Sequence, residues 1–551
     1  MRYFCSQAAK PVGPCPDHAE TPKPSSDKKN FNAGHRLAIA APGLGTPLVR
    51  TRRGVAQSLR WFLFLCLAAG TLLSGLSGCN ARNVSASSAT GNSPSTPTDP
   101  PSPNPPSDPP ASPPPNPPSD PPSSPPSNPP ASPPANPPSP TPEPIITLPT
   151  EQASSAASFV GSVGVVTHLS YTDTPYYTEF PKILSALESL GVHYIRDGYY
   201  PWPASSPIVQ AHQQLGAAGI KCDYVVPYVL STTPEAIQQF APMVRDMDSL
   251  EAPNECDISG QCNGTGAGAV DNVVAFLPTV HAAGKALGVP VLGPSFTQQA
   301  SYSVAGNLDS EMTVNNLHIY FGGRNPGSNG WGAEDAEGNS YGSFNWWLNQ
   351  AAIDGPGARS EITETGYVAS SATTTPFTLP ENVEASYTPR TLLLAYMHGF
   401  EKTFLYELID EVSSPGYGLL NGDLSPKPAF TALKNLLSTL SDSGPAFTPG
   451  ALPYLISGGD SNLNHLLLEK SDGSYWLVLW LEEPSWNPVN VTPIKVTPEN
   501  IGLKLNGAYA TTMGYQFDSN GNVTANNLTM NGYSASLTIS DQITIVEIHP
   551  N

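Results

Sequence analysis

From about residue 160 onward the chain alternates between two hydrophobic rhythms. Short apolar, β-branched runs are each followed by a longer stretch with the spacing of an amphipathic helix. Val163 to His168 is the first such run, and Phe180 to Gly191 is the first helical stretch. The pattern repeats with strands at His193 to Asp197, Lys221 to Pro227 and Ser249 to Pro253. Helices are predicted between them around Ile208 to Ala218 and Pro234 to Met247, then from Val270 to Leu287. Runs at Val289 to Pro294, Asn315 to Tyr320, Ser360 to Glu364 and Lys402 to Glu407 complete eight strands, and Pro426 to Leu437 makes the last helix. Eight short strands alternating with helices predict an α/β fold, a (β/α)8 TIM barrel over 150–442. A doubly wound open sheet would want a glycine-rich phosphate loop after its first strand, and Thr167-His168-Leu169-Ser170-Tyr171 is no such loop.

After Gly444 the rhythm shortens to two. Leu466 to Trp480 reads as a hairpin turning at Asp472-Gly473, and alternating runs continue to Ile543 to Ile548. Residues 443–551 are therefore predicted to form a small antiparallel β-sandwich. Asp518 to Asn522 reads as a hairpin turn, because no Glu stands at the spacing a calcium loop requires.

The first 149 residues follow neither rhythm. Residues 80–149 hold 28 of the chain's 63 prolines, many of them in Ser-Asp-Pro-Pro and Ser-Asn-Pro-Pro repeats. With almost nothing apolar to bury, this segment is predicted to be a disordered Pro-rich linker, largely polyproline II. At about 3.1 Å per residue it could reach about 200 Å. Before it, Arg50, Arg52, Arg53 and Arg60 precede an apolar run from Trp61 to Leu73, and then Leu76-Ser77-Gly78-Cys79. A basic region, a short apolar core and small residues make an export signal over 50–79. Leu-Ser-Gly-Cys resembles the bacterial lipobox, which implies a lipidated Cys79 and an acyl anchor in the lipid bilayer of the cell envelope. Residues 1–49 precede that signal and read as a mis-called or disordered extension.

Composition narrows the partners. The formal charge is −20, and the segment ahead of Cys79 is itself basic, so the processed chain is more acidic still. Such a surface repels nucleic acid and excludes it as a partner class, while a neutral oligo- or polysaccharide is compatible. Of seven cysteines, Cys5, Cys15 and Cys66 precede the cut and Cys79 carries the lipid. Cys256 and Cys262 are close enough to close a small disulfide loop in an oxidising compartment, and Cys222 opens an apolar run as a buried thiol. Three cysteines without clustered histidines make no zinc site, so no metal or cofactor is expected. The chain is read as a monomer.

Candidate chemistry sits at the strand ends, where barrel active sites are built. Strand four ends Leu250-Glu251-Ala252-Pro253-Asn254-Glu255, and strand seven ends Glu361-Ile362-Thr363-Glu364. Paired carboxylates across a sugar site are what acetal cleavage needs, one to protonate the leaving oxygen and one to attack or to activate water. Glu361 lies near the base of its strand and is assigned to structure, and Glu407 is a further carboxylate at the end of strand eight. His168 ends strand one, where it can bond a sugar hydroxyl. Aromatic residues crowd the loops, among them Tyr199, Tyr200, Trp202, Tyr228 and Trp331, and such rings stack on sugar faces. Trp346 and Trp347 begin a helix, which points at least one of them to the core. The Gly- and Asn-rich stretch Phe321 to Tyr341 exceeds ordinary loop lengths and is read as a functional rim.

Asn254-Glu255 at the end of strand four, with Glu364 at the end of strand seven, resembles glycoside hydrolase clan A, which includes families 5 and 39. The resemblance spans roughly residues 160 to 440. It implies that Glu255 is the acid/base, Glu364 the nucleophile and Asn254 a ligand of the 2-hydroxyl. It further implies that Arg196 in strand two supports the nucleophile, and that His318 and Tyr320 form the clan's His-x-Tyr, with the tyrosine touching the nucleophile. The clan usually ends strand eight with a Trp beneath the sugar, whereas here Phe404-Leu405-Tyr406-Glu407 leaves Tyr406 or Glu407 in that place. The function implied is a retaining glycosidase on a β-linked glycan. The alternative from another class is an inactive barrel that binds glycan at the cell surface.

Overall fold

The computed structural model describes residues 147–371, 375–412 and 414–551. The expected export signal, Cys79 and residues 80–146 of the expected linker lie outside the described residues. Eight parallel strands close into a barrel, in chain order Val163–Val166, Tyr194–Gly198, Lys221–Val225, Met247–Glu251, Val291–Leu292, Val314–His318, Arg359–Thr365 and Thr403–Leu405. Strand eight pairs with strand one, Phe404 opposite Gly164, which closes the ring. A Cβ on Gly164 would fall 2.4 Å from the Phe404 ring, so only glycine lets the two strands meet there.

The strands read as apolar runs because both faces are covered. Helices pack outside them, and each helix shows why it forms. In Phe180–Leu190, Ile183, Leu187 and Leu190 recur on one face and are buried, and Gly191 ends the helix at φ 81° while donating to Leu187 O. In Phe344–Asp354, Ser343 caps the first turn by accepting from the Trp346 amide. Trp346 and Trp347 are both buried there. At the far end of the barrel from the rim that carries Glu255 and Glu364, Lys402 holds Glu361 at 3.2 Å and Asp248 at 2.8 Å, so Glu361 is an anchor of the fold.

Two antiparallel sheets follow the barrel, packed on a core that includes Leu452, Leu477, Leu503 and Val546. One joins Ala451–Ser457, Glu499–Leu505 and Ser534–Ile539, and the other is built around Leu463–Glu469, Tyr475–Leu481, Tyr509–Phe517, Val523–Asn527 and Thr544–Pro550. Gly473 takes φ 83° in the turn of the first hairpin. Asp518 turns the next by accepting from the Asn520 and Asn522 amides. One boundary differs from the sequence expectation. Thr150–Gln152 pairs with Ala451–Ser457, and Ser154–Ser155 pairs with Leu463–Glu469, so these residues belong to the sandwich and not to the barrel.

Arg390 and Glu482 lock the sandwich to the barrel. The Arg390 guanidinium, fully buried on helix Glu381–Met397, donates through Nε at 2.9 Å and through Nη2 to the Glu482 carboxylate. Glu482 also accepts from Asn325 Nδ2 at 2.9 Å, from the Gly327 amide at 3.0 Å and from Trp480 Nε1 at 2.8 Å. A sandwich side chain thus fastens the loop that follows strand six.

Candidate active site

Strand register sets the site. Val166 lies opposite Arg196, and Arg196 opposite Asp223. The register shifts between Leu317 and His318, which brings His318 level with Glu364. Arg196, Glu251, His318 and Glu364 then converge at the rim, all of them buried.

Arg196 is the hub. Its Nε and Nη2 donate to the two oxygens of Glu251, each at 2.6 Å. Its Nη1 donates to Glu364 Oε1 at 2.6 Å, and Nη2 also reaches Asn254 Oδ1 at 2.7 Å. The fork geometry of guanidinium is what permits one side chain to hold two carboxylates. Glu364 Oε2 accepts from the Tyr320 hydroxyl at 2.9 Å and lies 3.5 Å from His318 Nδ1. Burial alone would push the Glu364 carboxyl up, but His318, Arg196 and the Tyr320 hydrogen bond together hold it below the usual carboxylate range. Burial first, and the neighbouring Glu364 charge second, push the Tyr320 phenol well up, so it stays a donor.

Glu255 stands on the other side of His318. His318 Nδ1 lies 2.8 Å from Glu255 Oε1, so one ring nitrogen faces both acids. An oxygen of Glu255 and an oxygen of Glu364 lie within 4.8 Å of each other. Burial would lower the His318 pKa, yet the charges of Glu364 and Glu255 raise it above its ordinary value. Glu255 has fewer partners than Glu364 and is the more exposed, with 22% of its side chain accessible against 10%. Its backbone is left-handed at φ 43°, ψ 44°, an uncommon conformation for a residue with a Cβ. Ser295 Oγ accepts from its amide at 3.1 Å and helps to hold it there.

Among the residues that line a pocket of about 110 Å³ beside Glu364 are Arg196, Asn254, His168, Tyr171, Tyr200 and Tyr406. Hollows of about 470 and 570 Å³ lie elsewhere, around Ser154, Ser158 and Tyr396. Chemistry rather than volume selects the smaller one, since it alone of the three contains Glu364 and Arg196. His168 stacks on Tyr171 at 4.5 Å, and its Nε2 lies 3.3 Å from Glu407 Oε2. Glu407 is fully buried behind His168, so of the two it is His168 that faces the pocket.

Four of the loop aromatics fall outside the pocket's lining: Tyr199 is buried edge-on against Phe240 at 5.0 Å, and three others pack elsewhere. Trp202 leans on Tyr200 at 6.0 Å, and Tyr228 packs on Phe276 at 5.4 Å. Trp331 is covered by the Arg324 guanidinium at 4.4 Å and meets Tyr341 edge-on. Two carboxylates were missed from sequence. Glu251 is the second acid held by Arg196, and Asp223 lies beside it, accepting from Ser249 Oγ at 2.6 Å. Burial and the Glu251 charge push Asp223 well above the carboxylate range. The acidic strand-four terminus Leu250-Glu251 was visible, but which face Glu251 takes depends on register. Tyr171 and Tyr406 also line the pocket; Tyr171 sits three residues past His168, at the same rim.

Cys256 and Cys262 are joined by a disulfide, with Cα atoms 5.3 Å apart. Cys222 is a buried free thiol. Among the described residues, two groups present donor atoms within 4.8 Å of one another as a metal site would: Glu255, His318 and Glu364, and His212, Cys222 and Asp246. The donors are already engaged: His318 lies between the two acids of the first group, and in the second His212 Nδ1 lies 2.7 Å from Asp246 Oδ2 while the Cys222 thiol donates to Asp223 O at 3.4 Å.

No family model matches the sequence, and no curated protein matches it. Solved structures of glycoside hydrolases are similar to it. A family 39 glycoside hydrolase from the gut symbiont Bacteroides cellulosilyticus WH2 aligns with a TM-score of 0.46 and 15% identity, covering 71% of this chain and 82% of that one. The catalytic domain of GH30 xylanase C from Talaromyces cellulolyticus gives 0.44 and 13%, over 73% and 98%. CelM2, a bifunctional glucanase-xylanase from a metagenome library, gives 0.44 and 12%, over 73% and 97%.

Proposed function

We propose that the protein is a retaining O-glycoside hydrolase acting on a β-linked oligo- or polysaccharide. The observation that carries the reading is the pair of carboxylates at the barrel mouth, Glu255 and Glu364, with oxygens within 4.8 Å of each other. A direct-water mechanism needs about 6.5–9.5 Å between the two acids, whereas double displacement uses about 5–5.5 Å. The two acids also differ in the way the chemistry requires. Glu364, held ionised by Arg196, His318 and Tyr320, is the nucleophile that bonds to the anomeric carbon. Glu255 gives its proton to the departing oxygen as that bond breaks. It then takes a proton from the water that displaces Glu364, so the proton account closes over the cycle. His318 Nδ1, 2.8 Å from Glu255 Oε1, shares that same proton before the leaving group takes it and again after the water has returned it.

A neutral sugar fits the pocket better than a uronic acid. The cation lining it, Arg196, is committed to Glu251, Glu364 and Asn254, and His168 faces Glu407. A substrate carboxylate would meet acids there. The lipobox-like Leu76-Ser77-Gly78-Cys79 supports an exported enzyme tethered to the cell envelope. Hydrolysis of a panel of aryl β-glycosides and β-glycans by the wild type, and its loss in Glu364→Gln, tests the reading. Equal activity in the variant and the wild type would end it.

A further inference from the structure

Glu255 is followed at once by a small closed ring of chain. The disulfide joins Cys256 to Cys262, and both residues are buried. The ring is tied down at several points. Asp257 accepts from the Thr297 amide at 3.0 Å, the Gln298 amide at 2.8 Å and Ser301 Oγ at 2.9 Å, which fastens it to the loop after strand five. Asn272 Nδ2 donates to Cys262 O at 2.9 Å. Inside the ring, Ser259 Oγ donates to Asn254 O and accepts from the Gln261 amide, each at 3.3 Å.

One long polar side chain remains uncommitted. Gln261 is exposed, yet it lines the same pocket as Arg196, Asn254 and Glu364. Its carboxamide has no hydrogen-bond partner among the described residues, whereas its own backbone amide does. A glutamine serving the fold would spend its carboxamide on the fold. A carboxamide offers two donors and one acceptor without charge, which matches a sugar hydroxyl that both gives and takes a hydrogen bond. Long free side chains are costly to order on binding, and anchoring the backbone on both sides lowers that cost.

We infer that Gln261 is a substrate-binding residue that reads a hydroxyl of the sugar ring held against Glu364, and that the Cys256–Cys262 disulfide presents it to the pocket. The inference rests on the glycosidase reading above. A neutral hydrogen bond predicts that Gln261→Ala raises KM roughly 3- to 10-fold with kcat little changed. The assay uses the full chain and 4-nitrophenyl β-glycosides of glucose, galactose, mannose and xylose. Discrimination between epimers should narrow in Gln261→Ala, because the lost contact belongs to one hydroxyl. The paired variant Cys256→Ser/Cys262→Ser should raise KM in the same direction, and adding Gln261→Ala to it should add less than about 2-fold, since both changes remove one interaction. If the paired variant does not fold, wild type reduced and alkylated after folding supplies the same comparison. Unchanged KM and unchanged epimer ratios in Gln261→Ala overturn the binding role. Additive effects of the two changes overturn the presentation by the disulfide. A wild type that cleaves none of these glycosides and no β-glycan overturns the glycosidase reading itself, and this inference with it.

Discussion

Arg196 Nη1 donates to Glu364 Oε1 across 2.6 Å in a setting where Arg196 is 3% exposed and Glu364 8%. The same guanidinium neutralises Glu251 from its other edge. One cation therefore supports two buried carboxylates, and neither acid is independent of the other.

Removing that cation should be costly in two ways. Arg196→Met leaves Glu251 and Glu364 as close, buried like charges, and breaking such a pair typically costs about 3–5 kcal/mol. The Glu364 pKa should rise as well, moving the acid limb of the kcat/KM profile to higher pH. In the wild type Glu364 titrates below its ordinary value, so its contribution to stability is present above that value and is lost as pH falls through the folded pKa. Urea melts at several pH values should show this acid-side loss in the wild type and a smaller one in the variant. A variant as stable as wild type at neutral pH would remove the charge-hub argument.

His318 titrates the other way. Its folded pKa is raised by Glu364 and Glu255 against the opposing effect of burial. Its stabilisation is thus complete below the unfolded value of about 6.5 and is lost as pH rises through the folded pKa. The proton shared with Glu255 should be lost over the same window. His318→Gln is expected to move the alkaline limb of kcat to lower pH, with the acid limb less affected. A profile that keeps its alkaline limb in place would exclude His318 as the proton partner.

The junction between barrel and sandwich rests on Arg390 and Glu482. Arg390→Met strands a buried carboxylate that also holds Asn325 and Gly327, so a loss of about 3–5 kcal/mol is expected. Glu482→Gln keeps an acceptor and should cost less. Denaturant midpoints for the two variants and their combination measure the coupling, which should be well above the scatter of independent sites. Additive losses would show that the two side chains do not act as one clamp.

The barrel was readable because buried parallel strands leave apolar runs that cannot be mistaken for surface loops, as Val163 to Val166 shows. The placement of Glu255 and Glu364 at one rim was readable because Glu364 lies at the end of strand Arg359–Thr365 and Glu255 follows strand Met247–Glu251 by four residues. Glu251 was not, since its partner Arg196 lies 55 positions away and only strand register aims both inward. Loop aromatics misled for a related reason. Trp331 is as visible as Tyr171 in the sequence, but Arg324 covers one ring while His168 stacks on the other at the pocket. Thr150–Gln152 was counted with the barrel, because its true partner strand begins some three hundred residues later.

Anchoring is testable without any structure, since Cys79 lies outside the described residues. Cys79→Ser should either block maturation or release a soluble enzyme from the membrane fraction. Metabolic labelling with an alkyne fatty acid should mark the wild type and spare the variant. Detergent partitioning that does not differ between the two would end the lipid-anchor proposal.

Double displacement makes the strongest claim on the geometry. Two inversions return the product to the configuration of the substrate, so a β-glycoside must first release a β-hemiacetal. Proton NMR of the anomeric region, recorded within the first turnovers, should show β before mutarotation brings in α. A slow 2-fluoro glycoside with a good leaving group should trap the intermediate, and the added mass should map to the peptide carrying Glu364. Glu255→Gln should lose about 100- to 10,000-fold on substrates whose leaving group needs a proton. It should lose far less on an activated aryl glycoside at the glycosylation step, because a good leaving group departs without an acid. The contrast separates the acid from the nucleophile, since Glu364→Gln fails on both kinds of substrate. An α-configured first product would mean a water fits between the acids, and the close approach of Glu255 and Glu364 would then need to open on binding.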